Sequence, residues 1–127
     1  MQIGFLEHVN ITVTDSAKTA KMLCDLFGWK VRWSGPALDG GTTYHVGTND
    51  AYLAVYMPPM PEKKEPSSHL VTGGLNHIGV LVQDIDLTES KVLDAGFKPN
   101  SHSDYEPGKR FYFYDDDGIE YEVVSYT

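Results

Sequence analysis

A chain of 127 residues with 41% hydrophobic content is long enough to build one domain with its own core, which excludes a disordered segment. Its formal net charge of -8 opposes a polyanion, so no nucleic-acid partner is expected, whereas a cationic ligand would suit it. With one cysteine there is no internal disulfide, and with no signal-like or membrane-length apolar run the expectation is a cytoplasmic protein without a membrane partner.

The first predicted strand covers about residues 3–14. Within it Val9, Ile11 and Val13 alternate onto one face, and His8, Asn10 and Thr12 onto the other. Asp15 is placed to cap a helix over about 16–27, and Gly28 to stop it. Cys24 lies in that helix among Met22, Leu23 and Leu26, with no basic neighbour in sequence to activate it, so a buried and inert thiol is expected. A strand around 30–34 follows, then a hairpin of 43–47 and 51–57 about a turn at 48–50. Residues 58–74 hold four of the seven prolines and read as a linker, with Lys63 and Lys64 a solvated pair. The second half runs through a strand over 75–83, the cap Asp84, a helix over 86–95, the stop Gly96 and a strand around 98–102. Residues 99–109 read as a polar loop, before a hairpin of 110–114 and 119–126 about the Asp-rich turn 115–118.

The two halves are the same unit. Shifted by 69, His8-Val-Asn-Ile-Thr-Val-Thr-Asp15 falls on His77-Ile-Gly-Val-Leu-Val-Gln-Asp84, and the His, one Val and the Asp match. Shifted by 68, Gly28-Trp29-Lys30 falls on Gly96-Phe97-Lys98, Tyr44 on Tyr112, and Asn49-Asp50 on Asp117-Gly118. The expected fold is therefore α+β, one domain over 1–127 built from two tandem βαβββ modules, 1–57 and 75–127, joined by the linker 58–74. Its sheet is expected to be mixed and curved around a central cavity.

A single strand histidine is ordinarily a hydrogen-bonded residue and no more. The repeat singles out His8 and His77, because it sets them at equivalent places on equivalent strands. If the modules pair about a pseudo-two-fold axis, both rings converge on one cavity. The last strand of each module should line it too: Tyr52, Ala54 and Tyr56 share one face in the first, Glu120 and Glu122 in the second. The shift of 68 sets Ala54 against Glu122. Two imidazoles and a carboxylate make a divalent-metal set, and the methyl of Ala54 leaves positions open for water or substrate, as a catalytic metal requires. His45, His69 and His102 carry no functional expectation.

The sequence resembles the vicinal oxygen chelate superfamily, which includes glyoxalase I, extradiol dioxygenases, fosfomycin-resistance proteins, methylmalonyl-CoA epimerase and bleomycin-resistance proteins. HVNITVTD and HIGVLVQD are similar to the family's opening strands, and FYFYDDDGIEYEVV, residues 111–124, to its closing segment. The resemblance covers essentially the whole chain. It implies metal ligands at His8, His77 and Glu122, with Tyr112 at the position of an active-site tyrosine. Glyoxalase I and the epimerase carry a fourth ligand where this chain has Ala54. The two-His, one-Glu set instead looks like that of the dioxygenases and fosfomycin-resistance enzymes. The implied protein is an enzyme that chelates a small oxygen-bearing substrate on Fe2+, Mn2+, Ni2+ or Zn2+, by lyase, transferase or dioxygenase chemistry, and forms a homodimer. Tyr112 and Glu122 would serve the reaction. Asn10, Trp33, Tyr44, Tyr52 and Tyr56 are candidate walls of the cavity. The alternative is a bleomycin-resistance-like protein that sequesters a small ligand without turning it over.

Overall fold

The structure, a computed structural model, describes residues 2–62, 69–105 and 108–127. The Lys63-Lys64 pair lies outside the described residues. The chain divides into two compact units, residues 1–62 and 63–127.

The first unit runs β1 (His8–Thr12), α1 (Ser16–Phe27), β2 (Lys30–Pro36), β3 (Thr42–Gly47) and β4 (Tyr52–Met57), with a 3-10 turn at Leu38–Gly40 between β2 and β3. The second runs β5 (Ile78–Leu81), α2 (Ile85–Asp94), β6 (Asn100–Tyr105), β7 (Gly108–Tyr114) and β8 (Glu120–Ser125). Each is a βαβββ unit with a mixed four-stranded sheet. The strand orders are β1-β4-β3-β2 and β5-β8-β7-β6, and the first and last strands of each unit pair in parallel.

Both helices begin as the residues dictate. Asp15 accepts from the Lys18 backbone N–H and Asp84 from that of Leu87, each at 3.0 Å. At its far end α1 stops on Gly28, which takes the left-handed conformation (φ 69) and returns its N–H to the Cys24 carbonyl. Each helix covers one face of its sheet. Leu23 and Leu26 of α1 are buried with Ile11, Val46 and Val55. In the second unit Val92 of α2 is buried, as are Val80, Phe111, Phe113, Tyr121 and Val123. Fully burying a side chain of this size contributes about 1.5–3 kcal/mol. The opposite face of each sheet is the one that carries His8 and His77.

Three sequence expectations change. The strands at 3–14 and 75–83 shorten to β1 and β5, so residues 2–7 precede the sheet and His77 stands one residue before β5. The polar stretch 99–109 is not a loop, because β6 and the start of β7 occupy its described part. Its polarity belongs to an edge strand. Among the described residues β6 pairs only with β7, and its register breaks between Asn100 and Ser103, where Ser101 takes φ 55. Finally, Tyr44 is not the counterpart of Tyr112. β3 and β4 close at the pair Gly47–Tyr52, and β7 and β8 at Tyr114–Glu120, so the second turn is one residue longer. Before the turn the two units therefore correspond at a shift of 67, which sets His45 against Tyr112.

Candidate functional site

The register shows which residues share the polar faces. In the first unit β4 sets Tyr52 beside His8, Ala54 beside Asn10 and Tyr56 beside Thr12. In the second, β8 sets Glu122 beside Gly79. Asn10 is two residues after His8 and Gly79 two after His77, so Ala54 and Glu122 hold the same place in the two units.

The residue before each histidine takes its Nδ1. His8 Nδ1 lies 2.8 Å from Glu7 Oε1, and His77 Nδ1 lies 2.7 Å from Asn76 Oδ1. These oxygens only accept, so a hydrogen on Nδ1 completes each contact and leaves Nε2 for another partner.

For His77 that partner is Glu122, whose Oε1 lies 3.1 Å from Nε2. Both nitrogens of His77 thus face acceptor oxygens, while a neutral imidazole has one hydrogen to give. A cation at Nε2 and Oε1 would satisfy both atoms, so the donor chemistry of this pair fits a divalent metal of the kind that takes mixed nitrogen and oxygen ligands. The other carboxylate oxygen is held in place. Glu122 Oε2 accepts from Arg110 Nη1 at 2.9 Å and from the Tyr112 hydroxyl at 3.0 Å. The Glu122 and Arg110 side chains are 14% and 15% exposed, so their ion pair is largely withdrawn from water and its geometry matters. Burial, and then the hydrogen bond to Glu122, push the Tyr112 hydroxyl up from its ordinary value. Tyr112 therefore remains a donor at neutral pH. Its ring meets that of His77 edge-on, with centroids 5.8 Å apart.

The first unit has no carboxylate at the matching place and builds rings instead. His8 stacks on Tyr52 at 4.9 Å, Tyr52 on His45 at 4.6 Å, and His45 meets Trp33 at 5.1 Å. The Arg32 guanidinium lies 4.5 Å from the Tyr52 ring centre. Burial, then the neighbouring His8 and Arg32, pull the His45 ring down from its ordinary value and favour its neutral form. Trp33 is 51% exposed, so one end of this row is open to solvent.

The candidate residues thus fall into groups. Tyr112 and Glu122 join His77, while Tyr52 and Trp33 join the row that begins at His8. Asn10 and Tyr56 share the His8 face. Tyr44 does not: it pairs with Val55 on the side that α1 covers. Of the remaining histidines, His69 bonds to Glu120 at 2.7 Å and His102 to Glu89 at 3.0 Å. Within either unit, no three His, Cys, Asp or Glu among the described residues stand close enough to hold a metal by themselves.

Sequence reasoning missed Arg110, Glu7, Asn76 and His45. Arg110 stands two residues before Tyr112 on one strand, and the strand period of two would have put both on one face. Glu7 and Asn76 coincide at the same shift of 69 that pairs the histidines. His45 was hidden by the one-residue difference between the turns.

The comparisons agree with this architecture. A family model described as the Glyoxalase/Bleomycin resistance protein/Dioxygenase superfamily matches residues 5–123. No curated protein matches the sequence. Among solved structures, the chain is similar to a glyoxylase/bleomycin resistance protein/dioxygenase domain from Frankia sp. EAN1pec, with a TM-score of 0.80, 18% identity, and 98% of each chain covered. It is similar also to a glutamate-to-glutamine mutant of the fosfomycin resistance protein FosX from Listeria monocytogenes, complexed with Mn(II) and 1S,2S-dihydroxypropylphosphonic acid. That match has a TM-score of 0.78 and 18% identity, and covers 99% of this chain and 95% of that one. A third is TnmS3, an antibiotic-binding protein from Streptomyces sp. CB03234, with a TM-score of 0.73, 17% identity, and 98% of each chain covered. With 119 consecutive residues inside the family model and the βαβββ unit present twice, the chain belongs to the Glyoxalase/Bleomycin resistance protein/Dioxygenase superfamily.

Proposed function

We propose that this protein is a divalent-metal-dependent enzyme acting on a small oxygen-bearing substrate, with His8, His77 and Glu122 as the metal ligands. One observation carries the reading: His77 Nε2 and Glu122 Oε1 face each other at 3.1 Å while the second Glu122 oxygen is tied to Arg110 and Tyr112. Unlike the His69–Glu120 and His102–Glu89 contacts among the described residues, this one also has its imidazole held through Nδ1, by Asn76, and its second carboxylate oxygen held by Arg110 and Tyr112. Similarity to a FosX that is complexed with Mn(II) supports the same reading.

Bound there, the metal would polarise substrate oxygens as a Lewis acid or, as Fe2+, support oxygen chemistry. The chain's own residues supply the rest. Arg110 and Tyr112 hold Oε2 and so fix the rotamer of Glu122, which leaves Oε1 for the metal. The Tyr112 hydroxyl keeps its proton and donates it to Glu122 Oε2, which leaves its oxygen to accept from a hydroxyl of the substrate. Trp33, at the exposed end of the row, offers ring surface against which a planar part of a ligand can lie.

That row of rings favours a second reading, a sequestering protein that binds a ligand by stacking, and the similarity to TnmS3 agrees with it. Metal content decides between the two. Protein purified without tag or chelator, and apoprotein reloaded with Fe2+, Mn2+, Ni2+ or Zn2+, should carry about one metal per chain by mass spectrometry. His8→Ala and Glu122→Ala should each lose it. A wild type that takes up none of the four sinks the enzyme reading and leaves the sequestering one.

A further inference from the structure

The two units repeat more than their histidines. At the shift of 69 that carries His8 onto His77, Glu7 falls on Asn76, and each spends a side-chain oxygen on Nδ1 of the ring that follows it. The two residues differ in charge and length. They share an acceptor oxygen at 2.8 Å and 2.7 Å from the same nitrogen. Neither side chain packs in the core, although the Glu7 carbonyl accepts from the Tyr52 N–H at 3.1 Å. Both are exposed, and both precede the strands of their sheets. Glu7 is anchored a second time, because its Oε1 also accepts from the Tyr52 hydroxyl at 3.3 Å, and the Tyr52 ring stacks on His8. A single oxygen thus fixes both the His8 ring and the ring it lies against.

We infer that Glu7 and Asn76 are positioning residues which lock His8 and His77 with the hydrogen on Nδ1, so that both present the Nε2 lone pair to the metal. The inference rests on the metal reading above. An imidazole free to rotate offers either nitrogen and must be ordered when a metal binds. A ring already held through Nδ1 has one nitrogen left, and its orientation is set before the ligand arrives. A partner that accepts from Nδ1–H also makes the ring a better electron donor at Nε2. The carboxylate of Glu7 does this more strongly than the amide of Asn76, so the two histidines are unequal ligands, with His8 the better donor.

The test uses the full chain, Zn2+ as the probe, and the variants Glu7→Leu and Asn76→Leu, which remove the acceptor but keep apolar bulk. Their conservative partners are Glu7→Gln and Asn76→Asp, which restore an oxygen. Zn2+ affinity is measured by competition with a chelator. The tautomers come from nitrogen-15 NMR of the histidine rings. In wild type loaded with Zn2+, both rings should carry hydrogen on Nδ1 and bind through Nε2. In metal-free wild type, the His8 ring should already show the Nδ1–H form. Each leucine variant should lose about tenfold to a hundredfold in affinity, the range seen when such outer partners of a metal ligand are removed. It should also lose its own ring's Nδ1–H signature, and the conservative variant should recover most of both. Wild-type affinity and unchanged tautomers in both leucine variants would overturn the inference while leaving the metal reading standing. A wild type that binds no Zn2+, Mn2+, Fe2+ or Ni2+ would remove both together.

Discussion

Glu122 accepts from two donors on one oxygen and faces His77 with the other, so its two oxygens serve two tasks. Oε2 takes Arg110 and Tyr112 and fixes the side chain, while Oε1 is left to His77. The Tyr112→Phe variant separates these tasks, because it removes one hydrogen bond and keeps the ring against His77. It should retain the fold and weaken metal affinity about tenfold, the lower end of what loss of such a partner costs. Metal titration checks this, and unchanged affinity would assign the positioning of Glu122 to Arg110 alone. At this scale the sequence was half legible. His8, His77 and Glu122 stand at positions the repeat makes visible, whereas at the shift of 68 Tyr112 falls on Tyr44, which is not its counterpart. Glu7 and Asn76 coincide at the shift of 69 and Arg110 shares the Tyr112 face of β7, but none matches its counterpart in residue type, and a polar residue of this kind has no further mark in the sequence. Only the contact it makes distinguishes it from a solvated neighbour.

Strand register decides which residues meet, and turns decide register. In the β7–β8 turn, Asp115 Oδ1 accepts from the backbone N–H groups of Asp117 and Ile119, at 2.9 and 3.0 Å, and Oδ2 accepts from the Tyr121 hydroxyl at 3.2 Å. That anchoring stabilises the longer turn, and the longer turn puts Tyr112 opposite Glu122. The arrangement carries a cost that depends on pH. Burial pushes the Asp115 carboxyl above its ordinary value, and the hydrogen bonds from Ile119, Asp117 and Tyr121 only partly offset this. The folded chain therefore holds this proton more tightly than the unfolded chain does. The resulting stability is present at acid pH and is lost as pH rises from the ordinary carboxylate range through the raised value. Asn at 115 keeps an acceptor for the two backbone groups and has no charge to bury. Urea unfolding across the acid range should show wild-type stability falling with pH relative to Asp115→Asn. Parallel curves would show that burial of this carboxyl has no effect on stability. The elements themselves were well marked in the sequence, since the caps Asp15 and Asp84 and the stop Gly28 act where chemistry places them. The edge strand β6 was not, because an edge strand with a bulge has the composition of a loop.

At the scale of the whole molecule, one βαβββ unit is used twice, and each copy has its own buried face and its own polar face. Among the described residues no helix is long and apolar enough to cross a membrane. A ligand that binds the folded chain alone raises its stability by mass action. A metal at a hundredfold excess over its Kd should add about 2.7 kcal/mol to the free energy of unfolding. Thermal or urea unfolding should show this gain in wild type, its reversal by chelator, and its absence in Glu122→Ala. An equal gain in that variant would move the metal to other ligands. The architecture was legible because repetition is a long-range signal that survives local ambiguity. The correspondence of His45 with Tyr112 was not, because it depends on a turn one residue longer in one copy. The shared register also bears on how such a chain can change over generations. Residues 54 and 122 hold one structural address in two copies, filled by a methyl in the first and a carboxylate in the second. On the proposed ligand set, one codon at position 54 stands between a three-donor centre and a four-donor centre, with every strand pairing left as it is. A duplicated scaffold of this kind can try a new chemistry in one copy while the other preserves the old.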